Sequence, residues 1–273
     1  MIDLHMHSTE SDGEDDPFEL IKKAKASGVS IMSITDHDVV SAYKHAVSYA
    51  KRSGIQLIPG IELNTSSEDG EFHILGYGID VEAEALRKHT EWRKQDRVEW
   101  KKLLVHRLQS LGYAITWSDV LAEATGEIIV RTHIAAALVR KAYFRDARAA
   151  YQNLLIKGKP AYQPRSRFSA EEAIALIHRC GGQAFLAHPG TYLEPIPLMT
   201  LVRAGLDGIE AYHSLHSPAE ASYWHQTASA LGLRISGGSD YHGTHSKNPF
   251  PIGSVHLPEG FVAEWEREME VSQ

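Results

Sequence analysis

The 273-residue chain is 43% hydrophobic and 23% charged, an ordinary globular balance that can bury a full core, without a low-complexity tract. Its formal charge of −7 excludes a broad basic face for duplex nucleic acid, and its single cysteine, Cys180, excludes an internal disulfide and a thiolate metal cage. Sixteen histidines against that one cysteine point instead to hard or borderline metal ions held by imidazole and carboxylate.

The opening Met1 to His5 reads as an apolar strand with no basic or apolar leader pattern, and no apolar run approaches the roughly 18 residues of a membrane span. A cytoplasmic location is the expectation. A helix follows from Pro17 to Ser27 with proline at its first position, then a strand over Val29–Ile34 and a helix over Val40–Ser53. Ile55–Leu63 and Phe72–Ile79 are the third and fourth strands, joined through the turn-forming Ser66–Gly70.

The rhythm changes at about Glu82. From there to Arg148 charged and apolar residues recur at helical spacing, including THIAAALVRKA, and no strand of comparable strength intervenes. Residues 82–160, ending at the loop Lys157-Gly158-Lys159-Pro160, are therefore expected to form an inserted helical subdomain. Alternation resumes with helix 169–179, strand 183–187, helix 196–204, strand 207–211, helix 218–231 and strand 234–238. Residues 1–81 and 161–273 thus supply seven strands mostly separated by helices, an α/β chain that predicts a closed or nearly closed parallel barrel.

In such barrels chemistry gathers at the carboxyl ends of the strands. Strand one leads to His5-Met6-His7, where alternation turns both imidazoles to one face. Later strands lead to Thr35-Asp36-His37-Asp38, Gly60-Ile61-Glu62, His73, Ala187-His188-Pro189-Gly190, Glu210-Ala211-Tyr212-His213 and Ser239-Asp240-Tyr241-His242. One histidine on a strand is usually structural. Potential ligands at every strand of one barrel make a site.

Together with Ser11-Asp12-Gly13, these residues resemble the PHP (polymerase and histidinol phosphatase) family of metal-dependent phosphoesterases, relatives of the amidohydrolases. The resemblance covers essentially the whole chain. It implies a distorted seven-stranded barrel with two or three divalent ions, manganese favoured and zinc or iron possible. Position by position, it implies one ion on His5, His7, Glu62 and Asp240, a second on Glu62, His73 and His188, and a third on Asp12, His37 and His242.

Two ions about 3.5 to 4 Å apart can hold a hydroxide that attacks phosphorus, so no amino-acid nucleophile is required. The leaving oxygen still needs a proton, and His213, His216, His37 and Asp12 are the candidate donors. Arg131 and His133 open a helical pattern whose start can face an anion with free N–H groups. The Arg-x-His element, Lys159 and His216 resemble those of the subgroup containing nucleoside 3′,5′-bisphosphate phosphatases and short-RNA 5′-exonucleases. That resemblance implies phosphate binding by Arg131, His133, Lys159 and His216, with the helical insertion walling the pocket. A small phosphorylated nucleotide, or a short RNA, is the expected partner, without duplex nucleic acid or membrane.

Other features read as structural. Trp92, Trp100 and Trp117 are expected to be packing residues, Arg140 to Arg148 a solvated basic face, Cys180 a small buried hydrophobe, and Asp36 and Asp38 groups that orient His37 or its turn. Tyr212 and Tyr241 fit either pocket wall or barrel packing. Three rival functions are a histidinol-phosphate or other metabolite phosphatase, an amidohydrolase, and a non-catalytic metal-binding module.

Overall fold

The computed structural model describes every residue except 69, 124–130, 247, 259, 262–264 and 266–273. Seven strands form one sheet in chain order: β1 (Ile2–Asp3), β2 (Ile31–Ile34), β3 (Gln56–Asn64), β4 (His73–Tyr77), β5 (Gln183–Leu186), β6 (Gly208–His213) and β7 (Arg234–Gly238). The first and last meet, since Leu4 N–H donates to Gly237 O (3.1 Å), Asp240 N–H to His5 O (2.8 Å) and His7 N–H to Tyr241 O (2.9 Å). A nearly closed barrel results. Regular β1 is shorter than the expected Met1–His5, because beyond Asp3 the backbone swaps single hydrogen bonds with β7 and the loop after it.

Helices α1 (Pro17–Ala26), α2 (Ser41–Arg52), α7 (Ala170–Arg179), α8 (Leu198–Arg203) and α9 (Pro218–Ala230) accompany these strands. Their starts are written locally. Asp16 accepts from Phe18 and Glu19 N–H ahead of Pro17, and Ser169/Glu172 and Ser217/Glu220 form reciprocal capping boxes. The buried stripe of α2 is Ala42, Ala46 and Ala50, one small residue per turn.

One expectation fails here: the barrel is not wholly parallel. β4 runs antiparallel to both β3 and β5, while every other pair is parallel. Residues 65–72 between β3 and β4 are too few for a crossover helix, so the chain turns back as a hairpin. Thr65 and Phe72 secure it, Thr65 Oγ1 donating to Phe72 O at 2.7 Å.

The chain divides into two compact units, Met1–Thr90 with Arg167–Gln273, and Glu91–Ser166. Helix α3 (Glu84–Ser110) begins in the first. Its Leu86 joins the core of Ile61, Ile74, Ile174 and Leu186, and its His89 packs on Phe168 at 4.5 Å between ring centroids. This is why the helical unit starts later than residue 82. Cys180 is buried in that same core.

The second unit contains the rest of α3 with α4 (Trp117–Leu121), α5 (Arg131–Arg140) and α6 (Ala147–Ala150), the last continuing into a π-helical turn over Tyr151–Leu155. Trp100, Leu104, Leu108, Ile115, Ile134, Leu138 and Leu155 form its core, with Trp117 packed against it. The part of the helical expectation that falls on 124–130 lies outside the described residues. Trp92 departs from expectation: it is 37% exposed, off the stripe Arg93, Trp100, Leu104, Leu108, and stacks on the Arg93 guanidinium at 4.8 Å. Arg140 and Lys141 reach Glu123 (2.9 Å) and Asp119 (3.2 Å), an ion-paired surface.

Asp3 ties the barrel seam. Its carboxylate accepts from Ser239 N–H (2.9 Å) and Gly253 N–H (2.8 Å) while almost wholly buried. Asp3→Ala should lower unfolding free energy by about 2–4 kcal/mol, because it leaves two N–H groups without their acceptor. Denaturant unfolding checks this, and an unchanged midpoint contradicts the seam assignment.

Candidate metal centre

Strand β3 delivers Glu62, 1% exposed, to the carboxyl end of the barrel. Its Oε2 lies 3.1 Å from His7 Nε2, 3.1 Å from His37 Nδ1 and 3.3 Å from His5 Nε2. Its Oε1 lies 2.8 Å from His73 Nδ1 and 3.1 Å from His188 Nε2. One carboxylate thus sorts five imidazoles into two sets, one for each oxygen, which is the disposition of a bridging ligand.

Asp240, after β7, faces the first set. Its Oδ1 is 3.3 Å from His5 Nε2, 3.2 Å from His7 Nε2 and 3.4 Å from His242 Nδ1. A further group forms on the other ring nitrogen of His7: Asp12 Oδ1 is 3.6 Å from His7 Nδ1 and 3.4 Å from His242 Nε2, and Asp12 Oδ2 is 3.9 Å from His37 Nε2. The nine residues proposed as ligands from the sequence therefore converge in three adjoining groups. The grouping by position differs in detail, because His7 also belongs with Asp12, His37 and His242, and His37 also belongs with Glu62 and His73.

The backbone explains the convergence. Gly13 folds so closely over His7 that a Cβ there would meet His7 O at 2.2 Å, which brings Asp12 back over the strand end. Asp36 accepts from Ser8 N–H (2.7 Å), Ser8 Oγ (2.6 Å) and Ser11 Oγ (2.5 Å), fixing that turn. Asp38 accepts from Asn64 N–H and Nδ2, holding the turn after His37 against β3.

Hydrogen bonds at the outer ring nitrogens set the tautomers. His5 Nδ1 donates to Glu210 Oε1 (2.9 Å), and His242 Nδ1 donates to the Asp240 carbonyl (2.8 Å). In the neutral rings both Nε2 atoms then present bare lone pairs to the cluster. Glu210 is the functional residue sequence reading missed: wholly buried on β6, it also accepts from His188 N–H (2.7 Å), so it orders two candidate ligands. The available signal was a carboxylate inside an apolar strand, which is buried only with a partner.

Divalent ions fit this donor set. His5 Nε2 and His7 Nε2 lie 3.2 Å apart and both face Glu62 Oε2 and Asp240 Oδ1 at 3.1 to 3.3 Å. Lone pairs so close repel unless a cation lies among them, and such separations suit neighbouring ligands on one ion with bonds of roughly 2.0–2.2 Å. His7 Nδ1 and His242 Nε2 are also buried without a hydrogen bond.

Comparison with known proteins agrees. The PHP domain family matches residues 3–157. The chain belongs to the PHP family. It is 33% identical over 253 residues to a 3′,5′-nucleoside bisphosphate phosphatase of Chromobacterium violaceum, covering 88% of this chain and 87% of that one. It is likewise 33% identical over 286 residues to the 5′-3′ exoribonuclease Rnm of Salmonella typhimurium, covering 100% and 96%. A solved structure from Chromobacterium violaceum, described as an amidohydrolase with bound sulfate and no metal, superposes with a TM-score of 0.81 at 32% identity, covering 99% and 96%.

Charge dominates the PHP centre. Burial pushes the Glu62 and Asp240 carboxyls up, but the surrounding imidazoles outweigh it and hold both well below the ordinary range; Asp12 is lowered in the same way, against burial, by His242, His37 and His7. Burial pushes His5 and His7 down, yet the carboxylates win. His5, beside Glu210, Asp240 and Glu62, stands well above its ordinary value, and His7 reaches about 10. Burial drives His37 the other way, to about 3. Without ions, the carboxylates recruit protons onto His5 and His7.

The remaining sequence candidates lie in different places. His213, on β6, accepts from Leu215 N–H at Nδ1 (3.1 Å), so its neutral ring carries the proton on Nε2, which faces Asp240 Oδ2 at 3.3 Å. His216 has both ring nitrogens tied to backbone, Nδ1 donating to Ala211 O (2.9 Å) and Nε2 accepting from Gly190 N–H (3.0 Å). In this arrangement it braces the His188 loop and presents no N–H to the cluster. Tyr241 packs with Lys23 and Asp15, and Tyr212 hydrogen-bonds His225. Arg131, His133 and Lys159 belong to the helical unit.

Two outcomes follow. Because His5 and His7 are protonated below their raised pKa values, divalent ions must displace protons, so affinity should rise as pH climbs from 6 towards 9. Calorimetry of manganese binding in buffers of different ionisation enthalpy should reveal net proton release; none contradicts this charge balance. Glu210→Gln should weaken metal affinity about 10- to 100-fold while the fold survives. Elemental analysis after dialysis measures it.

Proposed function

We propose that this PHP protein hydrolyses a phosphate ester of a small nucleotide, most specifically a nucleoside 3′,5′-bisphosphate or a very short oligoribonucleotide. It is a metal-dependent phosphoric ester hydrolase. The observation that carries the reading is the sorting of five imidazoles between the two oxygens of Glu62, in a chain whose relatives at 33% identity are a bisphosphate phosphatase and an exoribonuclease. Mixed nitrogen and oxygen ligands suit manganese, zinc or iron, and among these the family resemblance favours manganese.

When bound, two or three such ions supply charge neutralisation at phosphoryl oxygens and water activation near neutral pH. His5, His7, Glu62 and Asp240 would hold one, Glu62, His73 and His188 a second, and Asp12, His37 and His242 a third. Glu210 keeps His5 in the ligating tautomer. Among the proposed proton donors, His213 is favoured because its Nε2 carries a proton facing the cluster. Asp12 is held ionised and His216 is tied at both nitrogens, while His37 serves better as a ligand. Arg131, His133 and Lys159 are proposed to bind substrate phosphate, Arg131 through its planar fork of donors.

Metal-loaded protein should release phosphate or mononucleotide from these substrates, and Glu62→Gln should abolish turnover. Good hydrolysis of histidinol phosphate with none of the nucleotides would overturn the specificity. His213→Gln should lower kcat for a ribose phosphate about 100-fold or more. It should matter far less for p-nitrophenyl phosphate, whose leaving group needs no proton, and equal losses on both would refute the donor role. Arg131→Ala should raise KM or lower kcat/KM while metal content is retained; loss of metal contradicts the phosphate-binding role.

A further inference from the structure

Asn248 lies in the segment after β7, eight residues beyond Asp240, and its residue is only 4% exposed. Ser246 delivers it: Ser246 Oγ donates to Gly243 O at 2.8 Å and accepts from Asn248 N–H at 3.1 Å. Pro249 follows in the chain and disfavours helical backbone at Asn248. The side-chain nitrogen then meets one residue twice. Nδ2 donates to the Asp240 carbonyl at 2.6 Å and to Asp240 Oδ2 at 3.0 Å. Both partners only accept, so the two N–H bonds of the amide face them and Oδ1 does not.

Two features show that this contact is arranged around Asp240. The backbone of Asp240 is left-handed, with φ 51°, a conformation costly for a residue with a side chain, and its carbonyl and carboxylate both lie within reach of that one nitrogen. Asn248 Oδ1 is buried, and no donor among the described residues meets it. An unmet buried acceptor is destabilising. An asparagine serving stability alone would have both ends of its amide satisfied.

Each bond from Asn248 bears on the cluster. The Asp240 carbonyl also accepts from His242 Nδ1–H, the bond that leaves His242 Nε2 bare. The carboxylate is divided: Oδ1 faces His5 Nε2, His7 Nε2 and His242 Nδ1 at 3.2 to 3.4 Å, whereas Oδ2 is bonded to Asn248 and faces His213 Nε2 at 3.3 Å. We propose that Asn248 is a positioning residue that presents Asp240 to a divalent ion through Oδ1 alone and reserves Oδ2 for the side facing His213. This deepens the metal-dependent reading and rests on it. A carboxylate bound through both oxygens fills two positions on an ion; bound through one, it leaves a position open. An open position is what water or a phosphoryl oxygen requires.

Asn248→Leu, close in volume and without either the N–H donors or the unmet oxygen, tests this in the full chain. Free of ions, the variant should melt within a few degrees of the wild type, because removal of the unmet acceptor offsets the lost hydrogen bonds. Saturated with cobalt(II), it should bind as many ions per chain as the wild type but absorb visible light more weakly per ion. Asp240, released at Oδ2, then takes a second position, and higher coordination weakens these bands. A purely structural role would leave the absorption per ion unchanged. Asn248→Ser, smaller and too short to reach both acceptors, gives the same readout if the leucine variant does not fold. If the wild type binds cobalt and the folded variants keep its absorption per ion, the positioning role is refuted and the metal-dependent reading stands. An ion lost from a folded variant at saturating cobalt also refutes it, since Asp240 would then need Asn248 to bind at all. If the wild type takes up no divalent ion, the metal-dependent reading falls and this inference falls with it.

Discussion

A carboxylate with five imidazole nitrogens within 3.3 Å is the constraint around which the barrel is organised. Glu62 is buried, ionised and shared. Its charge must be met by protons or metal ions, and the surrounding backbone decides which. Glu210 and the Asp240 carbonyl take the outer protons of His5 and His242, and so turn rings that could have been donors into lone pairs. His213 has the opposite arrangement: Leu215 N–H occupies its Nδ1 and the proton stays on the face towards the centre. The same side chain turns a bare lone pair or an N–H towards the centre according to one hydrogen bond on its far edge.

The convergence of the candidate ligands was legible because strands impose a period of two and end at a common rim. His5-x-His7 and Asp240-x-His242 carry their pairing in their spacing, and each predicted strand brought a histidine or carboxylate to its end. Glu210 was not legible as a site residue, since it meets the cluster only from behind, through His5 Nδ1 and the His188 backbone N–H. The orientations and tautomers of His213 and His216 were equally closed to sequence, because they depend on whether a backbone N–H or carbonyl meets each ring nitrogen. The reversal at β4 followed from a loop length that was in plain view. Parallel alternation on either side of it obscured that short connection.

The helical unit was harder to read. Its periodicity showed helices, but Lys101 looks like one more charged residue in a polar helix until the fold buries it beside Arg165 and Arg131. Trp100 reads as core, and it is core; its faces also serve as platforms for two guanidiniums. Composition cannot separate those roles, because both require the same aromatic ring in the same place.

The seam between the two ends of the barrel has a consequence in time. His5 and His7 precede Asp240 and His242 by 235 residues each, and Asp240 N–H must reach His5 O before the pairs face one another. During translation the early histidines emerge without their late carboxylate, so the nascent chain lacks the full donor set. The group that includes Asp240 and His242 is thereby completed only in a polypeptide whose last barrel strand has already found its first.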